Sequence, residues 1–267
     1  MARTYKGRTF VRETAYICGD YMDVDVYPVY QRPGKRRQKS KPTREIQRKL
    51  NQRNRERAFR RLLLLNFSEK DLYLTLSYAQ EPESREAAQR ALAAYLRRVK
   101  RRREKAGLAP LRYMACTVGG LAGTRTHHHL ILSGDLSREE LEDLWGLGYA
   151  NTRRLRLDQD GAEGLSRYIT RQKTASYRKW TSSRNLQRPE PQQRDGAISP
   201  RELGDLAAEA DRGSWDRLEA RFPGWEIIGA RAEYNPVNGG VYVRLELKRR
   251  RDGGYPERGP RKKEGRG

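Results

Sequence analysis

Cysteine is scarce in this chain, and the little there is does not pair. Cys18 and Cys116 lie far apart with no zinc-type spacing, which excludes a disulfide framework and a cysteine metal site. That usage fits a reduced cytoplasmic setting. Long apolar runs are missing too, so no segment reaches membrane-spanning length. Met1–Tyr5 leads into nothing like the apolar stretch of a signal peptide. Acidic side chains are outnumbered, with Lys+Arg 57 against Asp+Glu 34 and a net charge of +23. Such an excess calls for a polyanionic partner, because neutralised phosphates release condensed counterions. A membrane surface would want a basic amphipathic helix with a bulky aromatic face, and none stands out. Nucleic acid is the partner that remains. Internal repeats are absent.

The pattern that is present reads as α+β. Residues 10–30 alternate as two strands around a turn at Cys18–Asp20, with Asp23 and Asp25 on the outer, solvated side of an edge strand. Residues 32–41 form a basic loop, and Thr43 caps a helix carrying Ile46, Leu50, Ala58, Leu62 and Leu65. Between Lys35 and Arg61 stand thirteen Lys/Arg and two Glu, the composition of a phosphate-contacting arm. Then come a strand over 71–78, a helix over 84–105, strands over 111–118 and 126–133, and a short helix opened by the capping box Ser137–Glu140. A strand over 150–157 and a helix over 162–173 complete the run.

That order, β-α-β-β-α-β and a helix, is the split βαβ arrangement of ferredoxin-like folds. It predicts a four-stranded antiparallel sheet with helices on one face and its first and third strands in the centre, leaving the other face open to a ligand. The expected organisation is N-terminal strands and a basic helix over 1–66, a catalytic domain over 67–186 and a linker over 187–198. C-terminal helices and a hairpin over 199–250 follow, then a basic disordered tail over 251–267.

All three histidines stand together, His127, His128 and His129, at the head of the predicted third strand. Alternation puts His127 and His129 on one face and His128 on the other. Two neutral imidazoles side by side suit a divalent metal; the plainer alternative is a polar strand start that collected histidines. On the last helix of the run, Leu165, Tyr168 and Ile169 share a stripe. Tyr168 either packs on the sheet or brings a phenol over the histidine face, where it can attack a phosphodiester. A tyrosine hydroxyl ordinarily titrates near ~10, so this role needs a polarised phosphate and nearby positive charge. Arg167 is adjacent and Arg171 lies one turn on. Further along, Arg178, Lys179, Trp180 and Arg184 mix cations with an aromatic ring, which suits unpaired bases and their phosphates.

The strand with His127 and His129, followed by a helix with Tyr168 and Arg171, resembles the HUH endonucleases. It looks closest to the rolling-circle replication initiators of phages and plasmids, in the group related to the filamentous-phage replication endonuclease. The segment 71–78 and the segment Lys179–Leu186 resemble further parts of that group. The resemblance implies a Mg²⁺ or Mn²⁺ ion on His127 and His129, and nucleophilic attack by Tyr168 on single-stranded origin DNA. It also implies a 5′-phosphotyrosine link, a free 3′-OH for a polymerase, a later rejoining step, and a host helicase and polymerase as partners. Two positions depart from the group. Cys116–Gly119 holds no carboxylate for a third metal ligand, and Arg171 replaces the usual lysine, so it can clamp phosphate but not shuttle a proton. A non-catalytic single-stranded nucleic-acid-binding module, a degenerate initiator on the same fold, is the competing expectation.

Overall fold

Two alternating runs meet at Gly19, whose φ of 62° turns the chain from β1 (Thr9–Cys18) into β2 (Tyr21–Tyr30). In the computed structural model, residues 9–30, 44–120, 124–157, 162–171, 180–235 and 239–250 are described. There follow α1 (Arg44–Asn66), β3 (Leu72–Ser77), α2 (Arg85–Lys105), β4 (Tyr113–Val118), β5 (His127–Leu132) and α3 (Arg138–Asp143). Next are β6 (Ala150–Arg154), α4 (Glu163–Arg171), β7 (Thr181–Ser182) and β8 (Pro191–Asp195). The chain ends in α5 (Pro200–Arg212), α6 (Asp216–Ala220), β9 (Trp225–Tyr234) and β10 (Val241–Arg249). The basic loop at 32–41, Thr43 and the tail at 251–267 lie outside the described residues.

Two five-stranded antiparallel sheets form, in the orders β8-β1-β2-β10-β9 and β6-β3-β5-β4-β7. In the first, β2 pairs with β10 and β1 with β8. The N-terminal strands and the C-terminal hairpin, expected as separate units, therefore share one sheet. The expected linker at 187–198 holds an edge strand. Pairing between ends of the chain leaves no local mark in sequence, and Pro191–Asp195 is exposed throughout, so it carries no apolar alternation. Helix α5 covers one face of this sheet. Its start is fixed by a Ser199–Glu202 capping box with Pro200 in the first turn.

In the second sheet β3 and β5 are central, as the β-α-β-β-α-β order requires. Leu74, Leu76, Leu130 and Leu132 point to the side of α2 and α3, where Tyr95 and Trp145 close the core. The predicted capping box of α3 is present, with Ser137 and Glu140 exchanging bonds. The opposite face is not left open. Phe59, Leu62 and Leu63 of α1 and Ile169 of α4 pack there on Met114 and Ile131, so helices lie on both faces of the sheet.

Helix α1 has two working sides, because 3.6 residues per turn sets Phe59, Leu62 and Leu63 opposite Arg57, Arg60 and Arg61. The arginine side meets the first sheet. Arg61 Nε donates to Asp23 Oδ2 at 2.8 Å, Arg57 to Asp25 Oδ1 at 2.6 Å, and Arg60 pairs with Glu246 at 2.7 Å. The expected solvated acids on an edge strand are thus interior: β2 is flanked by β1 and β10, and Asp23 is buried. This part of the expected phosphate-contacting arm is likewise spent on ion pairs inside the protein. No helix among the described residues is long and apolar enough to cross a membrane.

Candidate active site

Strand β5 sets His127 opposite Ser77 of β3 and Val118 of β4, and His129 opposite Thr75 and Cys116. Alternation sends His128 the other way, into the core under α2 and α3. There Tyr78 Oη lies 2.7 Å from its Nε2 and Thr117 Oγ1 2.9 Å from its Nδ1. Burial above all, then the charge of its histidine neighbours, pushes His128 down to about 3. It is a neutral structural residue.

His127 and His129 face the α1/α4 side with ring centroids 4.8 Å apart. His127 Nδ1 donates to the Arg125 carbonyl at 2.9 Å, which leaves its Nε2 as the lone-pair nitrogen. His129 Nδ1 meets Tyr73 Oη at 2.8 Å and Thr75 Oγ1 at 3.3 Å, and its Nε2 lies 3.3 Å from Tyr168 Oη. Burial first, then His127 and Arg153, pushes His129 down to about 4, so its ring stays neutral. Burial also raises the Tyr73 phenol, which keeps a hydroxyl against the imidazole. A partner on the far nitrogen is what orients a metal-binding histidine.

These groups line a cleft of about 600 Å³ with Tyr73, His127, His129, Asn151, Arg153 and Tyr168 on its walls. Gly148 makes the β6 wall possible: φ is 148° and an added Cβ would stand 2.6 Å from Ser77 O. A side chain there would push β6 off β3.

Tyr168 is 49% exposed while its neighbours Ile169 and Thr170 are buried, so α4 sits on the sheet and holds the phenol over the cleft. The helix is fastened to α1. Gln52 Nε2 donates to Thr170 Oγ1 at 3.2 Å, and Arg171 Nε donates to Glu56 Oε1 at 2.6 Å. Burial works to raise the Glu56 carboxyl, but the bonds from Arg171 and Gln52 outweigh it and hold it below the ordinary range.

The structure therefore brings together His127, His129 and Tyr168, and takes Arg171 elsewhere. Arg167 pairs with Glu163 at 2.6 Å on the exposed side of α4. Trp180 is half-buried with its ring edge-on to Phe59 at 5.5 Å, so it packs in the core rather than offering a stacking face. Arg184 is exposed in the turn after β7, and Arg178 and Lys179 lie outside the described residues. Sequence reasoning missed Tyr73, Thr75, Asn151 and Arg153. Their signal was strand parity: each shares the face of His129 once β3 and β6 are put in register with β5.

Among the described residues no group of three or more His, Cys, Asp or Glu side chains could hold a metal together. Opposite His129, β4 presents Cys116, whose thiol burial pushes up to about 12. The protein's own donors are the two imidazoles, a set that suits a divalent ion sharing its remaining positions with water and phosphate oxygens.

Over residues 71–173 the chain matches the replication-associated protein ORF2 family. The matched stretch starts at the head of β3 and runs past α4. It therefore contains both outward histidines, Tyr168 and the whole cleft wall of β6. No curated protein and no solved structure gave a match. The family match ties the protein to DNA replication, and its charge of +23 agrees with a nucleic-acid partner.

Proposed function

We propose that this protein nicks and rejoins single-stranded DNA through Tyr168, initiating rolling-circle replication of a phage or plasmid-like element. The observation that carries the reading is the 3.3 Å approach of Tyr168 Oη to His129 Nε2 within one open cleft. The Tyr168 oxygen attacks the scissile phosphorus and the bond from phosphorus to the 3′ oxygen breaks. The phenol proton leaves to water at the exposed side of the ring, and the departing 3′ oxygen takes a proton from water. The products are a 5′-phosphotyrosine and a free 3′-OH. The reverse attack by a 3′-OH rejoins the strand and regenerates Tyr168. His127 and His129 would hold Mg²⁺ or Mn²⁺ through Nε2. The ion would supply polarisation of the phosphate oxygens. Tyr73 orients His129, and α1 orients the tyrosine helix.

The test is incubation with labelled single-stranded oligonucleotides tiling the protein's own locus, with and without Mn²⁺. A covalent protein–DNA species that needs metal and disappears in Tyr168→Phe supports the reading. One observation favours a second reading, a binding module that does not cut: the described residues supply two metal-binding side chains and no third. Salt-sensitive DNA binding indifferent to chelator, with no covalent species, is the result that selects it.

A further inference from the structure

The attack needs a cation at the reacting phosphate, and the arginine on the tyrosine helix is committed elsewhere. Arg171 donates through Nε and a terminal nitrogen to the Glu56 carboxylate of α1, at 2.6 and 3.4 Å. A second guanidinium does reach the cleft. Arg153 stands on β6, in register with Tyr73 of β3, on the face that carries His127 and His129. Its guanidinium carbon lies 4.8 Å from the centroid of the Tyr73 ring, and Tyr73 in turn touches His129. Arg153, Tyr168 and both histidines line the same cavity. No carboxylate stands within ion-pair distance of Arg153 among the described residues, so its fork of donors is not spent on any of them. Because β6 is the edge strand of its sheet, a DNA strand can run past Asn151 and Arg153 without displacing a neighbouring strand.

We infer that Arg153 is the catalytic cation of this site: its guanidinium binds the scissile phosphate and stabilises the charge that builds there as Tyr168 attacks. This rests on the nicking reading above. A guanidinium suits the task because it presents two parallel donors to two phosphate oxygens and never loses its charge. Arg171 has a different task here, holding α4 against α1.

The test is single-turnover formation of the covalent adduct on an oligonucleotide that the wild-type protein cleaves. Arg153→Ala should slow adduct formation by about 100-fold or more, the scale of losing one donor to a developing oxyanion, with the thermal transition unchanged. Arg153→Lys should recover part of the rate. The decisive comparison replaces one non-bridging oxygen of the scissile phosphate by methyl. On that neutral substrate the penalty for Arg153→Ala should shrink to within about threefold, because there is less charge to stabilise. A rate for Arg153→Ala within about threefold of wild type on the natural phosphate overturns the assignment. So does a methylphosphonate that relieves Arg171→Ala and not Arg153→Ala. If the wild-type protein forms no adduct on any oligonucleotide, the nicking reading fails and takes this assignment with it.

Discussion

Replacing Asp23 by asparagine tests whether the arginines of α1 belong to the interior or to DNA. The Asp23 side chain is 6% exposed and faces Arg61 at 2.8 Å and Arg60 at 3.7 Å, themselves 12% and 4% exposed. Asparagine keeps the shape and removes the charge, leaving two enclosed guanidinium groups with less to balance them. Breaking a buried pair in this way costs about 3–5 kcal/mol. Asp25 still reaches Arg61 and Glu246 still reaches Arg60, which argues for the lower end, about 3 kcal/mol. Urea unfolding at neutral pH reads this as a lower midpoint with an unchanged slope. The double variant Asp23→Leu/Arg61→Met should recover most of the loss, since exchanging both partners for apolar groups leaves no charge stranded. It should also bind single-stranded DNA with the wild-type salt dependence. An arginine on a phosphate contributes about 0.7 to the log–log slope, so a slope smaller by that amount would put Arg61 on DNA. A single variant within about 0.5 kcal/mol of wild type, or a double variant no better than the single, refutes the reasoning.

The middle histidine should behave unlike its neighbours. His128→Leu leaves the enclosed Tyr78 and Thr117 hydroxyls without their imidazole, a loss of about 2 kcal/mol, yet folded molecules should still form the covalent DNA species; denaturation together with adduct yield per folded protein checks both halves. The two thiols should be silent in the native state. Cys18 and Cys116 are each pushed up to about 12, chiefly by burial, and only a thiolate alkylates readily. Iodoacetamide at pH ~8 should therefore label both quickly in urea and neither quickly in buffer, with fast native labelling the contrary result.

Local signals in the sequence survived into the structure where the physics is local. The Ser137–Glu140 box caps its helix, the Asp71–Tyr78 and histidine runs become neighbouring central strands, and the alternation through His127–His129 divides the three rings as expected. The helical stripe also delivers Tyr168 to the correct face. What could not be read there depends on partners distant in the chain. Asp23 looks like any acid on a strand until Arg61 arrives from α1. Pro191–Asp195 becomes a strand only by bonding to β1. Arg171 looked free for phosphate because Glu56, far upstream, gives no hint that it will lie beside it. Arg153 was passed over because β6 was read as scaffold, and only its register with Tyr73 makes it a wall of the cleft.

The most direct measurement is the identity of the residue joined to DNA. Trypsin cuts after Arg167 and Arg171, so digestion of the covalent species followed by nuclease treatment should leave a nucleotide remnant on the peptide Tyr168-Ile169-Thr170-Arg171. Mass spectrometry that finds the remnant there bears out the convergence of histidine strand and tyrosine helix. A remnant on Tyr73 or on any other residue would contradict it.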